Sequence, residues 1–355
     1  MNHSRTYIAI PPGETIKEQL SFRSMSQKEF ALRMCLTEKH VTNLLKGRVQ
    51  LTSNVAMRLE SVLGVPAIFW ENLESLYREA LIKVEEENQL EADTEIAKHL
   101  PYSDMIKYEW IPSSKSPYEK VGNLRKFFEV SRLQLIDDPA INHIACRRLS
   151  SGEKSDYALL AWAQKAKLEA RNCETKEINI SGLKKTIPAI RYMSTLPPEV
   201  FCPKLTNLFS DNGIALIFLP YIKSSALHGA SFYDGKKIVV GLTIRGKYAD
   251  IFWFSLFHEI AHIIYGHIGQ AEGTSDNDEK EADSFARETL IPSDELKFFV
   301  KNSVLNIDTL KLFAERIGVD VGILVGRLQH DGIIKYNQFN NLKTKYEFNN
   351  KEVQL

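Results

Sequence analysis

The chain of 355 residues is 44% hydrophobic and 25% charged, an ordinary globular composition with enough length for two or three separately cored units. Lysine plus arginine (45) equals aspartate plus glutamate (45), so no global charge points to nucleic acid or to a membrane, and such evidence has to be local. Cys35, Cys146, Cys173 and Cys202 show no CxxC spacing, charges at Arg5, Glu14, Lys17 and Glu18 interrupt any signal-peptide core, and no uncharged apolar run reaches membrane length; a cytoplasmic, reducing location is expected.

Short helices are predicted over 13–22, 26–33, 37–46, 52–63 and 67–90, punctuated by Ser24, Thr37, Gly47, Thr52 and Gly64-Val65-Pro66. Ser26 and Glu29 have the spacing of a capping box, and Thr52 can cap the fourth helix. The second and third helices are joined by a turn of three to four residues, the spacing of a helix-turn-helix. Phe30, Ala31, Val41 and Leu44 would pack them together, leaving Thr37, Glu38, Lys39, His40, Thr42, Asn43 and Lys46 where a recognition helix faces the major groove. Between Arg23 and Arg48 lie six basic residues (Arg23, Lys28, Arg33, Lys39, Lys46, Arg48) against two acidic ones (Glu29, Glu38). A basic face of this kind suits phosphate contacts on a double-stranded operator.

Residues 96–200 read as largely helical, broken at prolines including Pro101, Pro139 and Pro188, with no chemical motif. Strands are expected over 213–219, 226–233 and 236–242, the last two forming a hairpin through a type I′ turn at Asp234-Gly235. A long helix over 248–266 follows, then a loop, a helix over 277–290 ended by Pro292, and two short helices between Ile307 and Ile334.

The long helix carries His258-Glu259-Ile260-Ala261-His262, an H-E-x-x-H motif. Residues four apart share a helix face, so both imidazoles can converge on one Zn²⁺ while Glu259 stands as general base toward an activated water. The motif needs a third ligand. Tyr265 and Ile268 stand where a metzincin has glycine and histidine, which rules that class out. His267 is read as an exposed helix-end residue off the ligand face. In the next helix Glu279, Ala282, Asp283 and Ala286 share one face, giving Glu279 as third ligand and Asp283 as the partner of an imidazole N–H of His258 or His262. Glu281 points away and is read as solvated, the alternative being that it takes the place of Glu279 as third ligand. His228 or Tyr233 on the hairpin could assist an oxyanion, although such residues are more often plain sheet residues. Arg327 to His330 reads as a structural cap.

Two resemblances rest on these residues. P-P-G-E-T-I-K-E-Q-L, S-Q-K-E-F-A-L-R-M, T-E-K-H-V-T-N-L-L-K-G and A-M-R-L-E-S-V-L-G-V-P resemble the Cro/CI-type (XRE) DNA-binding domains of the HigA antidote class. That resemblance implies phosphate contacts from Gln27 and Lys28, and base-edge contacts from Lys39, His40, Thr42 and Asn43. F-W-F-S-L-F-H-E-I-A-H-I-I-Y-G-H, then E-K-E-A-D-S-F-A-R-E-T-L-I-P, and more loosely V-G-R-L-Q-H-D-G-I-I, resemble the ImmA/IrrE zinc metallopeptidases. This second resemblance implies a regulated, gluzincin-like endopeptidase with His258, His262 and Glu279 on zinc and Glu259 as base, cutting a regulatory protein such as a helix-turn-helix repressor.

The expected architecture is α+β, mainly α. It comprises a helix-turn-helix domain over 1–95, a mostly helical middle or linker region over 96–200, a zincin-like domain over 201–335 with a small antiparallel sheet, and a tail over 336–355. A homodimer is expected, because such DNA-binding domains usually read paired half-sites. The middle region is expected to gate the cleft beside the 226–242 edge, so that deleting about 100–195 would raise cleavage.

Overall fold

A computed structural model describes residues 3–138, 154–223, 225, 227–268 and 274–347. Cys146, Pro139, Ala226 and part of the loop after the long helix lie outside those residues. The chain divides into two compact units, Met1–Glu95 and Ile96–Leu355.

The first unit holds α1 (Pro12–Phe22), α2 (Gln27–Arg33), α3 (Glu38–Leu45), α4 (Ser53–Leu63) and most of α5 (Ala67–Ala97). The starts of α2, α3 and α4 follow from side-chain capping: the hydroxyls of Ser26, Thr37 and Thr52 accept from the backbone N–H of Glu29, His40 and Val55. The expected capping box on α2 is only half made, because the Glu29 carboxylate accepts from Arg33 at 2.7 and 2.9 Å. Ile16, Phe30, Ala31, Val41, Leu44, Leu59 and Trp70 form the core between these short helices. In α5 Tyr77 and Val84 are buried, while Phe69 and Leu76 are exposed.

The second unit begins with α6 (Tyr102–Lys107), α7 (Pro117–Phe128), α8 (Lys154–Arg171), α9 (Ile180–Tyr192) and α10 (Pro198–Ser210). Pro188 sits inside α9 rather than breaking it. Strands β1 (Ile214–Phe218), β2 (Gly229–Asp234) and β3 (Lys237–Leu242) form a mixed sheet in the order β1-β3-β2. The expected antiparallel sheet is therefore corrected: β3 pairs antiparallel with β2 but parallel with β1, Leu216 standing opposite Val240. The hairpin loop is Gly235-Lys236, one residue later than expected, since Asp234 pairs with Lys237. Only Gly235, at its first position, has a positive φ (61°), which is a type II′ pattern and not type I′.

Both faces of the sheet are covered, so its strands are apolar almost throughout. Ile214, Leu216, Ile238, Val240 and Leu242 face α9, α10 and α11 (Ala249–Tyr265). Ala215, Ile217, Ala230, Phe232 and Val239 face Ala158, Trp162, Ala163, Ala166 and Ala170 of α8. The alternation along β2 then leaves Gly229, Ser231 and Tyr233 on the α11 side. After α11 come α12 (Asp276–Leu290), α13 (Ser293–Asn302), α14 (Ile307–Ile317) and α15 (Val321–His330). Residues 343–346, expected in a tail outside the domain, instead strap the start of α11. Ala249 donates to Thr344 O, Tyr346 to Lys247 O, and the Trp253 indole to the Tyr346 hydroxyl at 3.0 Å, while Lys343 pairs with half-buried Asp250 at 2.6 Å. Among the described residues no helix is long and apolar enough to cross a membrane.

The middle region is thus not a detachable gate, because α8 is one wall of the sheet. Deleting residues 100–195 should yield an unfolded or insoluble chain rather than a hyperactive one. The single change Trp162→Ala removes a fully buried indole and should cost about 3–5 kcal/mol in urea unfolding of the full chain.

Candidate metal centre and nucleic-acid interface

Helix α11 is buried nearly all round, between the sheet, α12 and α15, and most of its side chains are apolar. His258, Glu259 and His262 are the ionisable groups at its centre, and each needs a partner to be tolerated there. His258 Nε2 and His262 Nε2 lie 2.9 Å apart. Glu279, in the first turn of α12, sets Oε2 3.4 Å from His258 Nε2 and Oε1 3.6 Å from His262 Nε2. A tetrahedral zinc with ligands at about 2.0–2.2 Å holds them roughly 3.3–3.6 Å apart, so the donor set and its two nitrogen–oxygen separations fit a zinc cradle, while the two imidazole nitrogens at 2.9 Å would have to move apart to admit the ion.

The surrounding polar groups orient these three. The Asp283 carboxylate accepts from His258 Nδ1 at 2.9 Å, as the helix-face reading anticipated, although Asp283 is 53% exposed and not core-facing. Thr274 donates its hydroxyl to Glu279 Oε1 at 2.6 Å, a contact that no local pattern of residues signals. His267 is not the exposed residue expected from the helical wheel. The helix has ended: Gly266 takes a left-handed φ of 75°, and the turn carries His267 back against His262, with the two Nδ1 atoms 3.1 Å apart. Its signal was Gly266, a common helix-terminating residue. Glu281 is likewise engaged, 3.3 Å from His267 Nε2.

Glu259 is buried against the edge strand. The carboxylate accepts a hydrogen bond from Ser231, and a Cβ on Gly229 would stand 3.0 Å from Glu259 Oε1, so the strand passes directly over the carboxyl group. Of the two sheet residues considered for oxyanion contact, His228 has its Nδ1 covered without a hydrogen-bond partner among the described residues, and Tyr233 is 41% exposed. Arg327 pairs with Asp331, which also holds Arg287 of α12, and Gln329 donates to the Tyr336 and Gln338 carbonyls, a structural network.

The titration of the cluster follows from its packing. Burial disfavours charge on His258, but the hydrogen bonds to Asp283 and Glu279 and the charge of Glu259 outweigh it, raising the ring to about 10. Burial and the neighbouring His258 charge push His262 down to about 4. The hydrogen bond from His258, against the cost of burial, brings Glu279 down to about 2. Burial lifts Glu259 to about 7, opposed by His258 and Ser231. The pair therefore carries one positive charge, on His258, in the metal-free chain.

In the first unit, Gln27 and Lys28 at the start of α2, and Thr37, Lys39 and Lys46 on α3 and its ends, are exposed, while Thr42 and Asn43 are half-buried. Thr37 caps α3, and the Thr42 hydroxyl donates to Glu38 O at 2.9 Å. His40 departs from the outer-face assignment: its Nε2 is covered and has no hydrogen-bond partner among the described residues.

No protein-family model matches the chain. The HTH-type transcriptional regulator YddM of Escherichia coli K12 is 33% identical over 76 residues, which are 21% of this chain and 74% of that protein. The chain belongs to the HTH-type transcriptional regulators. A solved structure of an addiction module antidote protein of a HigA family from Coxiella burnetii shares 29% identity over 24% of this regulator and 94% of that chain, with a TM-score of 0.22. Both likenesses fall in the N-terminal region of the regulator and stop short of the histidine cluster.

For this regulator, elemental analysis should find about one zinc per chain, lost in His258→Ala, His262→Ala and Glu279→Ala and kept in Glu259→Gln and Glu281→Ala. Zinc uptake must expel the proton held on His258, whose value of about 10 lies above neutrality. Apparent affinity should therefore rise about tenfold per pH unit from pH 6 to 8, read by competition with a chromophoric chelator; a flat profile would contradict the proton assignment.

Proposed function

We propose that this chain is a DNA-binding transcriptional regulator whose second unit is a zinc-dependent endopeptidase acting on a regulatory protein such as a repressor. The observation that carries the reading is the convergence of His258, His262 and Glu279 beside a buried glutamate on an apolar helix. Zinc held by those three residues would supply Lewis-acid polarisation of a peptide carbonyl and activation of a water. Glu259, lifted to about 7 by burial, takes a proton from the attacking water and passes it to the leaving amine as the C–N bond breaks. Ser231 and the close passage of Gly229 fix that carboxylate. Strand β2 is the edge of the sheet, so a substrate in extended form can add to its free side by main-chain hydrogen bonds and lie over Glu259.

In the first unit, Gln27 and Lys28 would meet phosphate, and Lys39, Thr42 and Asn43 would meet base edges, with Thr37 and Lys46 flanking them. Paired half-sites would be read by a homodimer. A second reading, a non-proteolytic antidote or repressor whose metal unit is a sensor or docking module, is favoured by the likeness to a transcriptional regulator. Glu259 separates the two, since a binding module has no use for a buried base.

Co-purification on the Glu259→Gln full chain should trap the uncut substrate. The wild-type chain should cleave it, and both Glu259→Gln and chelated protein should leave it intact; cleavage by Glu259→Gln at the wild-type rate would contradict the assigned base. In gel-shift titrations of the full chain on its own upstream region, Lys39→Ala and Asn43→Ala should each cost about 1–3 kcal/mol of discrimination against random duplex. Lys28→Ala should weaken both duplexes alike. Equal wild-type affinity for the two would leave α3 without a recognition role.

A further inference from the structure

Histidine ligands are held by whatever their second ring nitrogen bonds to, and that partner is usually a carboxylate, a carbonyl or water. His258 has such a partner in Asp283. For His262 the partner is another histidine, which sequence spacing had placed at a solvated helix end. The two Nδ1 atoms are 3.1 Å apart, the rings are T-shaped with centroids at 5.2 Å, and His267 is 5% exposed. On its far side His267 Nε2 faces Glu281 Oε2 at 3.3 Å and Asp278 Oδ1 at 3.5 Å. The backbone fixes the same arrangement, because the His267 N–H donates to the His262 carbonyl at 2.9 Å across the Gly266 turn.

With His262 Nε2 given to a metal, these contacts take one consistent set of tautomers. His262 directs Nε2 toward His258 and Glu279, so its Nδ1 carries the proton and donates it. His267 then accepts at Nδ1 and donates from Nε2 toward the two carboxylates. We propose that His267 is a positioning residue that fixes the ring and tautomer of His262 through a carboxylate–His267–His262 chain, an inference that rests on reading His258, His262 and Glu279 as a metal cradle. His267 is not itself a ligand, since it lies on the Nδ1 side of His262, opposite the cradle. Glu281 becomes the outer anchor of this chain, which explains why an otherwise exposed carboxylate turns inward. Asp278 also caps α12 through Ser275, so the chain ties the end of α11 to the start of α12.

The test uses the full chain and zinc alone, with affinity read by chelator competition and geometry by the visible spectrum of the cobalt(II)-substituted protein. His267→Phe keeps the volume and removes the acceptor; zinc affinity should fall by about 10–100-fold and the cobalt spectrum should change. His267→Asn, whose Oδ1 can accept near the position of Nδ1, should recover most of the loss, and Glu281→Gln should produce a smaller one. Unchanged affinity in folded His267→Phe, or an equal loss in His267→Asn, would overturn the proposal. If His267→Phe fails to fold, nitrogen-15 spectra of zinc-loaded wild type decide: His262 metallated at Nε2 and protonated at Nδ1 supports the chain, and the reverse tautomer overturns it. A wild-type chain that binds no zinc defeats the cradle reading and this inference with it; zinc binding abolished by His258→Ala but indifferent to His267→Phe defeats this inference alone.

Discussion

Three ionisable side chains sit at the centre of one apolar helix, Glu259 and His262 buried and His258 half-buried, and the cost of placing them there organises the second unit. An unpaired charge in such a setting is destabilising by several kcal/mol, so His258, Glu259 and His262 must be satisfied by groups that other elements deliver. Helix α12 brings Glu279 and Asp283 on successive turns, with Ala282 and Ala286 as the small buried residues that accompany its packing against α11. Strand β2 brings Ser231 and a glycine at the point of closest approach. The chain just past α11 brings His267. Each partner is itself held by the fold: the sheet lies between α11 and the alanine-rich α8, and the strap at 343–346 anchors the start of α11.

The same burial shapes the electrostatics. Two imidazoles 2.9 Å apart cannot both be charged, so His258 and His262 move in opposite directions from their ordinary value. A divalent ion in that position would replace the shared proton and be neutralised in part by Glu279, which is why the cluster suits a cation better than it suits itself. Glu259 stands next to the pair but is turned to the sheet edge, where burial holds it near neutrality. Under the proposed function the arrangement would divide labour between groups that hold a metal and a group that moves a proton.

Much of this was legible wherever the interaction was local. Helix boundaries in the first unit follow from Ser26, Thr37 and Thr52, and a contact of Asp283 with one of the two imidazoles follows from two helical faces, although not that the imidazole is His258. What depended on chain reversals or distant pairing was not. His267 was misplaced because a helical wheel was extended one residue beyond Gly266, where the helix no longer exists. The parallel partnership of β1 and β3 leaves no local signature, whereas the hairpin does, and even there the turn fell one residue late. The role of α8 was hidden because alanines around one tryptophan carry a weak apolar signal, although they are what lets the helix lie flat on a sheet. His40 was assigned outward from spacing alone, and its ring is turned partly inward.

The proposed function stands on zinc held by His258, His262 and Glu279 in the folded regulator. The most direct measurement is anomalous diffraction from crystals of the zinc-loaded full chain, recorded on either side of the zinc absorption edge. One strong anomalous peak per chain is expected, within bonding distance of His258 Nε2, His262 Nε2 and a Glu279 oxygen. A zinc-replete crystal whose only anomalous peaks lie elsewhere, with the two imidazoles still in mutual contact, would contradict it.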